Sequence, residues 1–170
     1  MKLLDPPFRA GGADPGYVRS YGPGFRENGG QYTHAGVWLA AALLRAGRAA
    51  EGWEILRALL PASHDPDRYE AEPFVLAADV SAGDAAEIAG WTWYTGAAGW
   101  YLRTAAEELF GLRMREGAVV VESPRLPPAW KAASLRWRDG AGVTHSVEYT
   151  PDGVAVDGAP YGGGAIGRID

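Results

Sequence analysis

The chain has no cysteine, two methionines and three histidines in 170 residues, and its 16 Lys and Arg are outnumbered by 21 Asp and Glu. Each shortage closes a class of function. Without cysteine there is no disulfide framework and no thiolate metal site. His34, His64 and His145 are scattered, with no H-x-x-x-H pairing and no carboxylate cluster beside them, so no metal site is expected. A net charge of −5 and a pI near 5.2, without a Lys/Arg cluster, exclude a nucleic-acid surface built on phosphate contacts. No apolar run approaches the length of a membrane span, and Met1-Lys2-Leu3-Leu4 meets Asp5-Pro6-Pro7 at once, which breaks any signal-peptide core. The expectation is a cytoplasmic chain without a membrane span, whose parent polypeptide can still be membrane-associated.

Glycine and large aromatic rings, by contrast, are plentiful, and they concentrate in two places. Arg26-Glu27-Asn28-Gly29-Gly30-Gln31-Tyr32-Thr33-His34 is answered some sixty residues later by Trp91-Thr92-Trp93-Tyr94-Thr95-Gly96-Ala97-Ala98-Gly99-Trp100. A pyranose offers apolar C–H faces that stack on indole and phenol rings, and hydroxyls that need donors and acceptors at fixed positions. Trp91, Trp93, Tyr94, Trp100, Tyr32 and Trp38 can supply faces; Glu27, Asn28, Gln31, Thr33 and Thr95 can supply edges. For any one of these rings alone, packing in a helical core is the competing explanation.

The organisation changes near Leu112. From Lys2 to Asn28, Pro and Gly breakers recur without periodicity, a long irregular segment. Val37, Trp38, Ala41 and Leu44 then recur at helical spacing from about Gln31, and Ala46-Gly47 closes the pattern. A second helix runs from about Ala49 to Leu60, stopped by Pro61, so the two form a helical hairpin. Ala62 to Glu72 is polar loop, Pro73 to Val80 an unassigned apolar run, and Ser81 to Gly90 loop. A third helix should start near Tyr94 to Gly96 and end at Gly111, burying Leu102, Ala105, Ala106 and Leu109. Beyond it the period is two: the short runs Ala118–Glu122, Ser134–Arg138, Val143–Tyr149 and Val154–Val156, with turn signals at Glu116-Gly117, Asp139-Gly140-Ala141-Gly142, Asp152-Gly153 and Asp157-Gly158, read as antiparallel hairpins. The Gly-rich tail from Gly158 to Asp170 is expected to be poorly ordered. His64 is expected in solvent, His145 at a strand surface, and Glu107-Glu108 on a solvated helix face. The fold class is α+β, helices then strands, with too few of either to complete a layered architecture, which points to a fragment.

Three blocks in order, R-E-N-G-G-Q-Y-T-H-A-G-V-W at Arg26–Trp38, E-P-F-V-L-A-A-D-V at Glu72–Val80 and G-W-T-W-Y-T-G-A-A-G-W at Gly90–Trp100, resemble the C-terminal part of glycoside hydrolase family 94. These are the glycan phosphorylases once called glycosyltransferase family 36. Within the family, Gln-Tyr-Thr-His and Trp-Thr-Trp-Tyr-Thr-Gly are most similar to the phosphorylase-like domain of cyclic β-1,2-glucan synthases. The resemblance implies that residues 1–111 are the last helices of an (α/α)6 barrel and residues 112–170 part of a C-terminal antiparallel β-sandwich. It implies inverting phosphorolysis, in which inorganic phosphate, a co-substrate rather than a cofactor, attacks a β-glucoside and yields α-glucose 1-phosphate. Carried over by position, it assigns phosphate binding to His34, Thr95 and Gly96, and sugar binding to Glu27, Gln31, Tyr32 and Trp93. Glu72 and Asp79 belong to a block without an assigned role. The family's general acid, an aspartate in a Gly-Asp-Trp-Asn-Asp-type motif, has no counterpart in this sequence, and neither does a further phosphate-binding arginine; both lie upstream. The expected partners are a β-glucan or gluco-oligosaccharide, phosphate, the upstream barrel and a second copy in a homodimer. A non-catalytic carbohydrate-binding or assembly module, or a decayed remnant, is the alternative.

Overall fold

The computed structural model describes residues 1–83, 87–93 and 95–169, with Thr95 described by its backbone alone. Its first half is organised by a helical hairpin. Helix α1 (Thr33–Arg45) buries Thr33, Gly36, Val37, Ala40, Ala41 and Leu44, one stripe at helical spacing, and α2 (Ala49–Leu59) answers with Gly52, Leu56 and Leu59. Two glycines let the helices approach closely. A Cβ at Gly52 would lie 2.8 Å from Leu44 Cγ, and one at Gly36 would lie 3.3 Å from Leu59 Cδ1. Between the helices Gly47, at φ +78°, donates to Leu44 O at 3.0 Å while Arg48 donates to Leu43 O at 2.9 Å, the paired bonds of a glycine C-cap. Both predicted helices are present.

A short helix α3 (Pro66–Tyr69) interrupts the stretch expected to be loop. Its signal was legible: Asp65 caps it by accepting from Asp67 N at 2.9 Å, and Pro66 occupies the first helical position. Helix α4 (Thr95–Arg103) continues as a π-helical stretch, Thr104–Leu109, and closes at Gly111 with φ +73°. The predicted ends hold, but the buried face is corrected. Leu102 is 72% exposed, whereas Ala97, Thr104, Glu108 and Leu109 are buried. Two stripes of similar apolarity compete on this helix, and the wider π turn carries Glu108 inward with Leu109.

Three two-residue strands, β1 (Gln31–Tyr32), β2 (Asp79–Val80) and β3 (Ala89–Gly90), make a small antiparallel sheet. Tyr32 pairs with Asp79 and Asp79 with Gly90. One residue on, Thr33 N donates to Ala78 O at 3.0 Å, and Ala78 N to Trp91 O at 3.1 Å. This sheet joins the three family-like blocks side by side. The segment before it is irregular, as expected, apart from a 3-10 turn at Gly16–Ser20.

The second half holds two antiparallel sheets. β4 (Leu112–Arg115) and β5 (Ala118–Val121) form a hairpin through Glu116-Gly117, and β10 (Gly167–Arg168) pairs on the other edge of β5. The second sheet runs β6 (Ala133–Arg138), β7 (Thr144–Thr150), β8 (Gly153–Val156), β9 (Ala159–Pro160). Val147, Tyr149 and Ile166 centre the apolar cluster that both sheets share, with Leu112, Val121, Leu135 and Val156 packed around them. The tail is therefore not poorly ordered: Ile166 is buried and its N–H donates to Val119 O at 2.7 Å. Gly163 and Gly164, both at positive φ, turn the chain back onto β5, so the glycines mark a turn.

The halves are tied at Glu108. Its buried carboxylate receives Arg45 at 2.9 Å, Arg113 at 3.1 Å and Arg125 at 3.2 Å, and Tyr149 Oη donates to Phe110 O at 2.8 Å nearby. The expected solvated Glu107-Glu108 face is thus half wrong. Glu107 pairs with Arg103 at 2.9 Å near the surface, while Glu108 is a buried anion among three cations. Burial alone would push its carboxyl up, and the hydrogen bond from Arg45 and the charges of Arg113 and Arg45 hold it below the usual carboxylate range instead.

Candidate phosphate and sugar site

α1 begins at the edge of the small sheet, which fixes where His34 can point. Its imidazole meets Trp38, one turn on, edge to face at 4.9 Å, and Trp100 of α4 at 6.3 Å; the two indoles lie 5.5 Å apart. Gly96 faces the ring across the helix pair, a Cβ there meeting His34 Cε1 at 4.0 Å. The first turn of α4 thus opens toward His34, and the unpaired N–H groups of a helix start attract anions. The Thr95 side chain lies outside the described residues, as does Tyr94.

A second polar group adjoins the small sheet. Arg26, at φ +47°, packs its guanidinium under Trp91 at 4.5 Å and against Tyr21 at 5.4 Å. Glu27 Oε2 lies 3.6 Å from Arg26 Nε, and Asp79 Oδ1 lies 3.8 Å from Nη1. Burial raises the Asp79 carboxyl above its ordinary value, against the Arg26 backbone N–H and charge; Glu27 adds to the rise.

The two groups share one property. Among the described residues, the buried side-chain nitrogens and oxygens without a hydrogen-bond partner are Arg26 Nε and Nη1, Glu27 Oε2, Gln31 Nε2, His34 Nε2 and Asp79 Oδ1. Native interiors leave few such atoms, and a cluster of them calls for a reason. Four of the five residues lie in the first block and the fifth in the second.

Not every candidate is available. Asn28 is saturated: Oδ1 accepts from Phe8 N at 2.8 Å, and Nδ2 donates to Tyr21 O at 2.8 Å and Phe8 O at 3.1 Å, pinning the N-terminal segment. Thr33 is buried and donates to Gln31 Oε1 at 3.3 Å. Tyr32 is half-buried on β1 opposite Asp79. Trp93, at φ +63°, is 68% exposed, its indole N–H held by Glu72 at 3.1 Å and its ring edge-on to Phe74 at 6.3 Å. His64 and His145 lie away from these blocks in sequence and are less exposed than expected. His64 stacks on Tyr69 at 4.6 Å, and His145 stacks on Trp137 between Asp157, at 2.8 Å, and Asp139, at 3.5 Å. The residues that sequence reasoning passed over are Arg26 and Asp79. The available signal was a lone carboxylate in the apolar run Phe74–Val80.

Residues 1–111 match the model of the glycosyl hydrolase 94 superfamily, catalytic domain. The chain belongs to that superfamily. It is 42% identical over 158 residues to the cyclic beta-(1,2)-glucan synthase NdvB of Rhizobium meliloti, an alignment covering 89% of this chain and 6% of that protein. It is 30% identical to the solabiose phosphorylase of Paenibacillus borealis over 78% of the chain and 18% of the relative. It is 26% identical to the N,N'-diacetylchitobiose phosphorylase of Vibrio furnissii over 91% of the chain and 20% of the relative. This glycosyl hydrolase 94 chain therefore spans a fifth or less of the length of these relatives. No helix among its described residues is long and apolar enough to cross a membrane.

Proposed function

We propose that the chain is the C-terminal part of an inverting glycan phosphorylase or glycosyltransferase acting on β-linked glucans, with β-1,2 linkage the first candidate. In this reading residues 1–111 are the last helices of an (α/α)6 barrel and residues 112–170 part of a β-sandwich. His34, Thr95 and Gly96 hold inorganic phosphate, and Glu27, Gln31, Tyr32 and Trp93 hold sugar. The observation that carries it is the His34 imidazole, whose Nε2 is buried and unpaired and whose Cε1 edge faces Gly96 at the start of a helix. An imidazole N–H and backbone N–H groups are the donors that a phosphate needs.

The residues divide the work chemically. Phosphate bound beside the anomeric carbon replaces the water that an inverting hydrolase would activate, so no base is required of this chain. The departing oxygen still needs a proton, and the acid is supplied by the upstream barrel. Without that acid the rate falls by about two to four orders of magnitude, so the chain alone is close to inactive. In a polypeptide joined to the upstream helices, phosphate-dependent release of α-glucose 1-phosphate from a β-glucan is expected. His34→Ala and Thr95→Ala should each raise the phosphate concentration needed for half-maximal rate; an unchanged phosphate dependence would remove the assignment.

The exposed pair Trp93 and Phe74 also fits a second reading, a non-catalytic carbohydrate-binding or assembly module that kept an aromatic platform. Joining the upstream helices separates the two. A binding module shows saturable affinity for a β-1,2-gluco-oligosaccharide without phosphate and gains no activity when the upstream helices are joined.

A further inference from the structure

Arg26, Asp79 and Trp91 come from three stretches of sequence and meet at one guanidinium. Asp79 grips Arg26 twice: Oδ2 accepts the backbone N–H at 3.2 Å, and Oδ1 lies 3.8 Å from Nη1. Trp91 covers the guanidinium at 4.5 Å, and Nε is turned to Glu27 Oε2 at 3.6 Å. Side-chain exposure rises along this line, from 3% at Asp79 through 11% at Arg26 to 19% at Glu27. Asp79 is too deep to meet a ligand, and Glu27 is the member nearest to one.

The backbone is shaped around the same line. Arg26 and Trp91 stand at φ +47° and +55°, a region that residues with a Cβ avoid and that recurs at ligand clamps. Gly90, beside Trp91, leaves room for the inner carboxylate: a Cβ there would sit 2.7 Å from Asp79 Oδ1. A charge-assisted hydrogen bond between such groups is about 2.7–2.9 Å long. Here both pairs stand off, and Arg26 Nε and Nη1, Glu27 Oε2 and Asp79 Oδ1 have no hydrogen-bond partner. Hydrogen bonds at a site are often long without ligand and tighten when it binds.

We infer that Asp79 and Arg26 are positioning residues for Glu27: they hold its carboxylate as a charged acceptor for a pyranose hydroxyl and, through Trp91, tie that acceptor to the segment leading into α4. The inference rests on the sugar-binding role proposed above for Glu27. Its effect is confined to the sugar and leaves phosphate binding alone.

The full chain is titrated with a β-1,2-gluco-oligosaccharide and, separately, with inorganic phosphate, following the Arg26 Nε–H and the tryptophan indole N–H signals by NMR. The oligosaccharide shifts the Arg26 and Trp91 signals together. Arg26→Lys keeps the charge but loses the planar fork and the stacking. It weakens oligosaccharide binding by about tenfold, the factor that corresponds to about 1.4 kcal/mol, and leaves phosphate binding unchanged. Asp79→Asn acts in the same direction with a smaller loss. Equal losses for both ligands that track a fall in melting temperature would make the pair a fold element only. Unchanged oligosaccharide affinity in both variants would remove the role while leaving the sugar site standing. A wild-type chain that binds phosphate and no oligosaccharide, or neither, would overturn the sugar reading and this inference with it.

Discussion

His34 presents its ring to Gly96, so the smallest change that probes the proposed anion pocket is one methyl group. A Cβ at Gly96 meets His34 Cε1 at an ordinary 4.0 Å, and the fold should accept it. Gly96→Ala is expected to leave stability unchanged or raise it by up to about 1 kcal/mol, as helical Gly→Ala changes do. Phosphate affinity should fall by about tenfold, equivalent to about 1.4 kcal/mol, because the methyl group occupies the approach to the donors. Calorimetry with inorganic phosphate and a thermal melt read the two effects separately. Gly90→Ala should behave in the opposite way: its Cβ would press on Asp79 Oδ1 at 2.7 Å, costing about 1–3 kcal/mol and lowering the melting temperature. At this scale the sequence was partly legible. The block wording singled out His34, Gly96 and Glu27 as candidates, but nothing in it distinguished Asn28, whose amide is used on Phe8 and Tyr21, from the residues left with unpaired atoms. That difference depends on where the irregular N-terminal segment folds, and no periodicity encodes it.

Among the elements, the π-helical stretch after α4 carries the largest electrostatic commitment. Removing the Glu108 carboxylate takes the shared partner from Arg45, Arg113 and Arg125, which reach solvent themselves, so Glu108→Ala should cost about 1–3 kcal/mol. Its carboxyl is held below the ordinary range, so its contribution is present above about pH 4.3 and is lost as pH falls through the lower folded value. The denaturant midpoint should therefore fall between pH 6 and pH 3 in the wild type and fall less in Glu108→Gln. A second titration sits on β7. The hydrogen bond that His145 donates to Asp157, opposed by burial and helped by Asp139, raises the His145 pKa. The stability it adds is complete below about pH 6.5 and disappears as pH rises through the raised value, so the melting temperature should decline across that window in wild type and decline less in Asp157→Asn, where Asp139 remains. Elements with strong periodicity or an unambiguous turn, such as α1, α2 and the β6–β7 hairpin, were readable. The two-residue strands of the small sheet were not, because they are too short to show alternation and are held by pairing with distant segments.

Over the whole molecule, helices give way to antiparallel strands at Gly111, and the sequence showed this through its change of period. It did not show that the Gly-rich tail returns to β5, since composition alone does not separate a turn from disorder. Leu102, Phe74, Trp38, Trp91 and Trp93 all stand exposed on the helical half, a surface that the upstream helices of the proposed barrel would cover. An antibody against residues 31–60 should therefore detect a native polypeptide much larger than 18.1 kDa in a cell extract; a single band at 18.1 kDa would favour the binding-module reading. The central claim is that His34 and the start of α4 form an anion site, and a phosphate titration of the chain, monitored by NMR at the tryptophan indoles, tests it most directly. Saturable shifts at Trp38 and Trp100 that vanish in His34→Ala are the predicted result. Shifts that never saturate, or that persist unchanged without the imidazole, would contradict the account.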